Sequence, residues 1–169
     1  TSTPKDSSAA SDVYKRQFLS GGHSYFPRNY KLNDLTEVTR SWEWYNTRLL
    51  ENFERIDVQD DYLTDVLTDA ATGFIEKKVN ANQHFMLYLA YNAPHAPLQA
   101  TEKYISRFPD IADEKRRIYA AMVSCVDDGV GRIIESLRRN HIEEDTIVVF
   151  LSDNGGAITK NASNNGVLR

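Results

Sequence analysis

Thr146-Ile147-Val148-Val149-Phe150-Leu151-Ser152-Asp153-Asn154-Gly155-Gly156 is the stretch on which the fold turns. Its first six residues are mostly β-branched or large and apolar, and such a run reads as a strand buried on both faces. It stops at two oxygen-bearing side chains, Asp153 and Asn154, followed by two glycines. In an open α/β sheet, sites form just outside the carboxyl ends of strands. Carboxylate and amide oxygens at that place suit a hard cation such as Ca²⁺ or Mg²⁺. The glycines allow a sharp turn and a close approach of backbone to a ligand. An ordinary Asp-Asn-Gly-Gly turn closing a strand accounts for the same four residues. The rest of the chain has to separate the two readings.

Immediately upstream, the spacing predicts a long helix from about Asp113 to Arg139. Its apolar face is Ile118, Met122, Cys125, Val130, Ile133, Ile134 and Leu137. Cys125 on that face reads as a small buried hydrophobe, not a nucleophile. Asp127 and Asp128 are adjacent, so they diverge on a helix and form no paired-carboxylate site. Gly129 and Gly131 are expected at close helix–sheet contacts. Further upstream, Phe85-Met86-Leu87-Tyr88-Leu89-Ala90-Tyr91 is a second continuous apolar run. It ends in Asn92-Ala93-Pro94-His95-Ala96-Pro97-Leu98, where two prolines exclude regular pairing and hold His95 in a rigid loop. Before it, Asp60-Asp61-Tyr62 opens another helix, with acidic residues at its positive end. Leu63, Val66, Leu67, Ala70, Phe74 and Ile75 recur on one face, and Lys77 and Lys78 fall in the last turn.

Two apolar strands joined through a helix imply a parallel, right-handed crossover. Parallel pairing puts both polar loops at one sheet edge. His95, Asp153 and Asn154 are therefore expected to face a common cleft. The fold class that follows is α/β, a mostly parallel central sheet flanked by helices on both faces.

The N-terminal part is less regular. Residues 28–58 are mixed, and Arg48-Leu49-Leu50 and Arg55-Ile56-Asp57-Val58 flanking Glu51-Asn52-Phe53-Glu54 read as a small exposed hairpin. Trp42, Trp44 and Tyr45 read as packing for that excursion, with a sugar-lining role as the alternative. His23, in Phe18-Leu19-Ser20-Gly21-Gly22-His23-Ser24-Tyr25-Phe26-Pro27, reads as a packed, hydrogen-bonded core histidine. Residues 1–17 are rich in Ser, Ala and charge and read as a disordered or non-native leader, which leaves 18–169 as the folded part.

Composition excludes several classes. With 20 basic against 24 acidic residues the net charge is -4, so nucleic acid is not an expected partner. No apolar run approaches the roughly 20 residues that cross a bilayer, so no membrane segment is expected. The first residues lack the apolar core of a signal peptide, and a single cysteine excludes an internal disulfide. The first residue is not Met and the last ones carry no stop signal, so a central piece of a longer protein is expected.

Several motifs then resemble the sulfatases of the alkaline phosphatase-like superfamily, in order and across residues 18–169. They are Gly21-Gly22-His23-Ser24-Tyr25-Phe26, Tyr62-Leu63-Thr64-Asp65, Asn92-Ala93-Pro94-His95-Ala96-Pro97, Asp127-Asp128-Gly129-Val130-Gly131 and Ser152-Asp153-Asn154-Gly155-Gly156. The likeness is nearest to the arylsulfatase and N-acetylgalactosamine-6-sulfatase type. It implies hydrolysis of a sulfate monoester of a sugar or aryl alcohol, by a formylglycine nucleophile and a divalent cation, usually Ca²⁺. By motif, Asp153 and Asn154 resemble two metal ligands. His95 resembles the histidine that binds the sulfate ester and helps the leaving oxygen depart. The resemblance also implies a periplasmic or secreted protein, with which the triplet Asn161-Ala162-Ser163 is compatible. The chain holds no Cys/Ser-x-Pro-x-Arg, the motif that supplies the nucleophile, so it is expected to be inactive alone. A phosphodiesterase or phosphonate monoester hydrolase of the same superfamily, and a non-catalytic α/β interaction module, are the alternatives.

Overall fold

The computed structural model describes residues 16–17, 23–32, 35–40, 43–52, 54–56, 61–156, 162–164 and 166–167. Its one sheet among these residues is small and antiparallel: Arg16–Gln17 (β1), Leu49–Glu51 (β2) and Glu54–Ile56 (β3), in that order. β2 and β3 form the expected hairpin, with Leu50 opposite Arg55. Asn52 in its turn has φ 50, a left-handed conformation that Asn tolerates better than most side chains. The hairpin is not wholly exposed, because Leu49 is fully buried. Arg16 and Gln17, read from sequence as leader, pair with Glu51 and Leu50. Trp42 lies outside the described residues.

Three helices follow, α1 (Leu63–Asn80), α2 (Glu102–Ile105) and α3 (Glu114–Arg139). α1 begins without the acidic side-chain cap that the sequence predicts; Tyr62 holds the cap position and makes no capping hydrogen bond. Tertiary contacts fix that end instead. Leu63 N donates to Tyr25 O at 2.9 Å, and the Tyr25 and Tyr62 rings stack at 5.6 Å. Leu63, Val66, Leu67, Phe74 and Ile75 are buried as expected, while Ala71 takes the inward place predicted for Ala70. Each such side chain contributes about 1.5–3 kcal/mol by leaving water.

α3 starts where the sequence places it. The Asp113 carboxylate accepts from Arg116 N at 2.7 Å, which satisfies one of the amides that a helix start leaves unpaired. Met122, Cys125 and Leu137 are buried to within 2%. Gly129 lies where a Cβ would meet Tyr91 Oη at 2.6 Å and Thr68 Oγ1 at 2.7 Å. Its smallness lets α3 approach both α1 and the 85–91 segment. Gly131 has nothing within 4 Å and needs no such account.

The two apolar runs differ from expectation. Residues 85–91 alternate half-buried and exposed, as a strand would. Phe85 meets Phe74 edge-on at 5.8 Å, and Leu89 and Tyr91 pack on the core between α1 and α3. The other face is open, with Met86 84% exposed. Residues 147–151 are exposed throughout, up to 93% at Ile147. Among the described residues neither run joins a ladder, so the parallel sheet predicted from them is not formed there. The reason is cover. α1 and α3 pack on one face of 85–91, and no described element packs on the other face or along 147–151.

Candidate functional site

His95 is exposed on a loop that three groups hold in place. His95 N donates to Asn92 O at 2.9 Å, Tyr25 Oη donates to His95 O at 2.9 Å, and Tyr62 Oη donates to Gln99 O at 2.7 Å. Burial pushes both phenols far above their ordinary values, so they remain neutral donors. The imidazole is oriented too. Nδ1 lies 2.7 Å from Ala96 O, and a carbonyl only accepts, so Nδ1 carries the proton. Nε2 is left without a partner among the described residues, as an acceptor in the neutral ring and a donor in the imidazolium.

Beside His95 is a cavity of about 300 Å³ lined by Ser24, Asn29, Asn46, His95, Pro97 and Gln99. Sequence reading picked out His95 here and missed the amides. They come from segments as far apart as residues 29 and 99, and no local periodicity joins them. The only local sign is a polar Gln99 between Leu98 and Ala100. His23, two residues from the missed Tyr25, is the core histidine expected, 1% exposed with Nε2 at 2.8 Å from Thr47 Oγ1.

Asp153 and Asn154 sit in a tight polar turn at the end of the second apolar run. Asn154 N donates to Asp153 Oδ1 at 2.9 Å, Ser152 Oγ donates to Asn154 O at 2.6 Å, and Asn154 Nδ2 donates to Gly155 O at 2.9 Å. Asp153 Oδ2 and Asn154 Oδ1 stay uncommitted among the described residues. Hard oxygens of this kind fit Ca²⁺ or Mg²⁺, but two donors fall short of the roughly six to eight that Ca²⁺ takes. Among the described residues no group of three or more His, Cys, Asp and Glu could hold a metal ion. Gly156 makes its close approach to the chain itself, since a Cβ there would lie 2.5 Å from Ser163 Cβ. The described lining of the His95 cavity includes neither Asp153 nor Asn154.

Asp127 and Asp128 diverge on α3, as adjacent helical residues must. Asp128 is clamped by Arg107, whose Nη1 and Nη2 reach its two oxygens at 2.8 and 2.7 Å. The guanidinium holds that carboxyl below its ordinary value. Arg132 similarly pairs with Asp69 and lies 3.9 Å from Asp65. These residues are an ion-paired helix surface. Cys125 is buried in the core, where desolvation pushes its thiol up to about 11. No described helix is long and apolar enough to cross a membrane.

Comparison with known proteins agrees with the motifs. The sequence model of the sulfatase family matches residues 7–167. An uncharacterized sulfatase, YdeN, of Escherichia coli is 42% identical over 118 residues, covering 68% of this chain and 21% of that protein. Human N-acetylgalactosamine-6-sulfatase is 32% identical over 143 residues, covering 83% of this chain and 26% of that protein. The crystal structure of Ps i-CgsB superimposes with a TM-score of 0.80 at 41% identity, covering 90% of this chain and 34% of that one. The same protein has been crystallised in complex with k-i-k-neocarrahexaose, with a TM-score of 0.78 to this chain. The chain thus spans about a third or less of these relatives, and it has an α/β fold of their kind. By the family model and by these likenesses, the chain belongs to the sulfatase family.

Proposed function

We propose that the protein carrying this chain is a sulfuric ester hydrolase that removes sulfate from sulfated saccharides or aryl sulfates. The observation that carries this reading is the fixed imidazole of His95. With Nδ1 committed to Ala96 O, Nε2 is the one nitrogen available to a ligand at the mouth of a polar cavity. In the imidazolium form, Nε2–H donates to the ester oxygen. As the S–O bond breaks, the proton passes to the departing alcohol oxygen, which would otherwise leave as an alkoxide. The sulfur atom needs a nucleophile, and the chain carries no Cys/Ser-x-Pro-x-Arg to supply a formylglycine. Asp153 and Asn154 would contribute two oxygens to a hard cation, Ca²⁺ or Mg²⁺, with the others from outside the described residues. When bound, such a cation offsets charge on the sulfonate oxygens.

The saccharide preference draws on the neighbour crystallised with an oligosaccharide and on the relative named for N-acetylgalactosamine 6-sulfate. In the whole protein, residues 85–91 and 146–151 are central parallel strands, which would cover their open faces and bring the loops at 92–98 and 153–156 to one edge. The folded part takes in Arg16 and Gln17, which pair with β2, and the protein is exported to the periplasm or secreted. The test is product analysis with the full-length protein. Release of inorganic sulfate from a sulfated saccharide, and none from a phosphate diester, is the expected result. Turnover of the diester alone would favour the phosphodiesterase alternative.

A further inference from the structure

The cavity beside His95 contains a hydrogen-bond chain whose direction is fixed. Tyr25 N can only donate, so the Gln99 atom it meets at 2.8 Å is the carbonyl oxygen Oε1. Ser24 Oγ lies 3.2 Å from that same oxygen and gives it its single proton. Having spent its proton, Ser24 Oγ accepts from Asn29 Nδ2 at 2.7 Å. Both amide orientations, usually a matter of assignment, are settled by this sequence of donors. Among the described residues this leaves Gln99 Nε2 as a free donor and Asn29 Oδ1 as a free acceptor. Asn46, whose backbone oxygen accepts from Lys31 N and Leu32 N, adds an amide with one of each and no side-chain partner among the described residues. Among the described residues the lining carries no carboxylate, lysine or arginine.

Resting on the hydrolase reading above, we propose that this cavity is a subsite for an uncharged, hydroxyl-bearing face of a sugar ring, with Gln99 and Asn46 reading its hydroxyls. A hydroxyl donates one proton and accepts at two lone pairs. Fixed neutral donors and acceptors side by side complement adjacent hydroxyls, and a flat aryl group has nothing to offer them. A second sulfate would enter without a cation among the described residues to meet it. The volume of about 300 Å³ is at the lower end of the roughly 300–1,000 Å³ of small-molecule sites, which suits one ring. The half-buried amides of Gln99 and Asn29 are pre-organised by Ser24 and Tyr25, so little of their side-chain freedom is lost on binding. Gln99 and Asn46 are specificity-determining residues, and His95 remains the group at the reacting ester.

The experiment compares kcat/KM for neocarrabiose monosulfate with that for 4-methylumbelliferyl sulfate, using the full-length protein. Gln99→Glu keeps an oxygen for Tyr25 N and Ser24 Oγ and replaces the N–H donor by a second, negatively charged oxygen. Asn46→Ala removes an amide with no described internal partner. Each is expected to lower the saccharide-to-aryl ratio about 10-fold, the change that goes with one lost hydrogen bond of about 1.4 kcal/mol. The ratio is independent of how much of a variant is folded. An unchanged ratio in both variants would overturn the subsite and leave the hydrolase reading standing. Failure of the unaltered protein to release sulfate from either compound would overturn the hydrolase reading, and the subsite with it.

Discussion

Cys125 shows how completely a side chain's surroundings set its chemistry. Buried between α2, α3 and the start of α1, its thiol is pushed up to about 11, chiefly by desolvation. It therefore stays protonated at neutral pH, and the thiolate is the reactive form. Iodoacetamide at pH 8 should leave the folded chain unmodified and label it once in denaturant; rapid labelling under native conditions would mean the core is open. Asp128 is the opposite case, a carboxyl held low by the hydrogen bonds of Arg107. A carboxyl with a depressed folded-state value adds stability above its unfolded value, near 3.8, and loses it as pH falls through the folded value. Arg107→Ala should thus lower the melting temperature at pH 6 by more than at pH 2.5. Equal losses at both pH values would deny the linkage. At this scale the sequence was informative wherever one residue's environment is local. Cys125 on an apolar helical face and His23 among aromatics were legible. The Ser24–Gln99 chain was not, because its partners stand 75 residues apart.

The helices carry their own instructions, and their contacts are where those instructions stop. Asp113, the apolar stripe and the terminal arginines all lie within α3, so its extent could be read from sequence. The start of α1 was misread because tertiary contacts with Tyr25 do the work that Asp60 and Asp61 were expected to do. Gly129 belongs to the same lesson, since only the fold reveals what it touches. A methyl there would collide with the Thr68–Tyr91 hydroxyl pair, which share a 2.7 Å hydrogen bond. Overpacking of that kind costs about 1–3 kcal/mol, and the better helix propensity of Ala returns about 1. Gly129→Ala should therefore destabilise the full-length protein, read as an earlier midpoint in urea, and Gly131→Ala should stabilise it slightly. The reverse order would contradict the packing of α1, α3 and the 85–91 segment.

For the whole molecule, the two apolar runs were legible as apolar segments, and neither joins a ladder among the described residues. Composition says that Phe85–Tyr91 and Thr146–Leu151 belong beneath other elements, and it cannot say which ones. In the described residues Ile147 and Phe150 are 93% and 75% exposed, and apolar surface of that extent drives association. The isolated 169-residue chain should scatter light and elute as an aggregate at micromolar concentration, and should release no sulfate from aryl sulfates. A monodisperse monomer would show that these faces need no further cover. Under the proposed function, a sulfate ester is cleaved with His95 Nε2 protonating the departing oxygen. The most direct measurement is kcat/KM for aryl sulfates of graded phenol acidity, in the full-length protein and its His95→Ala variant. The loss in the variant should be largest, on the order of 10²–10⁴-fold, for the least acidic phenols, and should shrink as the leaving phenol becomes more acidic. A loss that is the same for every leaving group would contradict it.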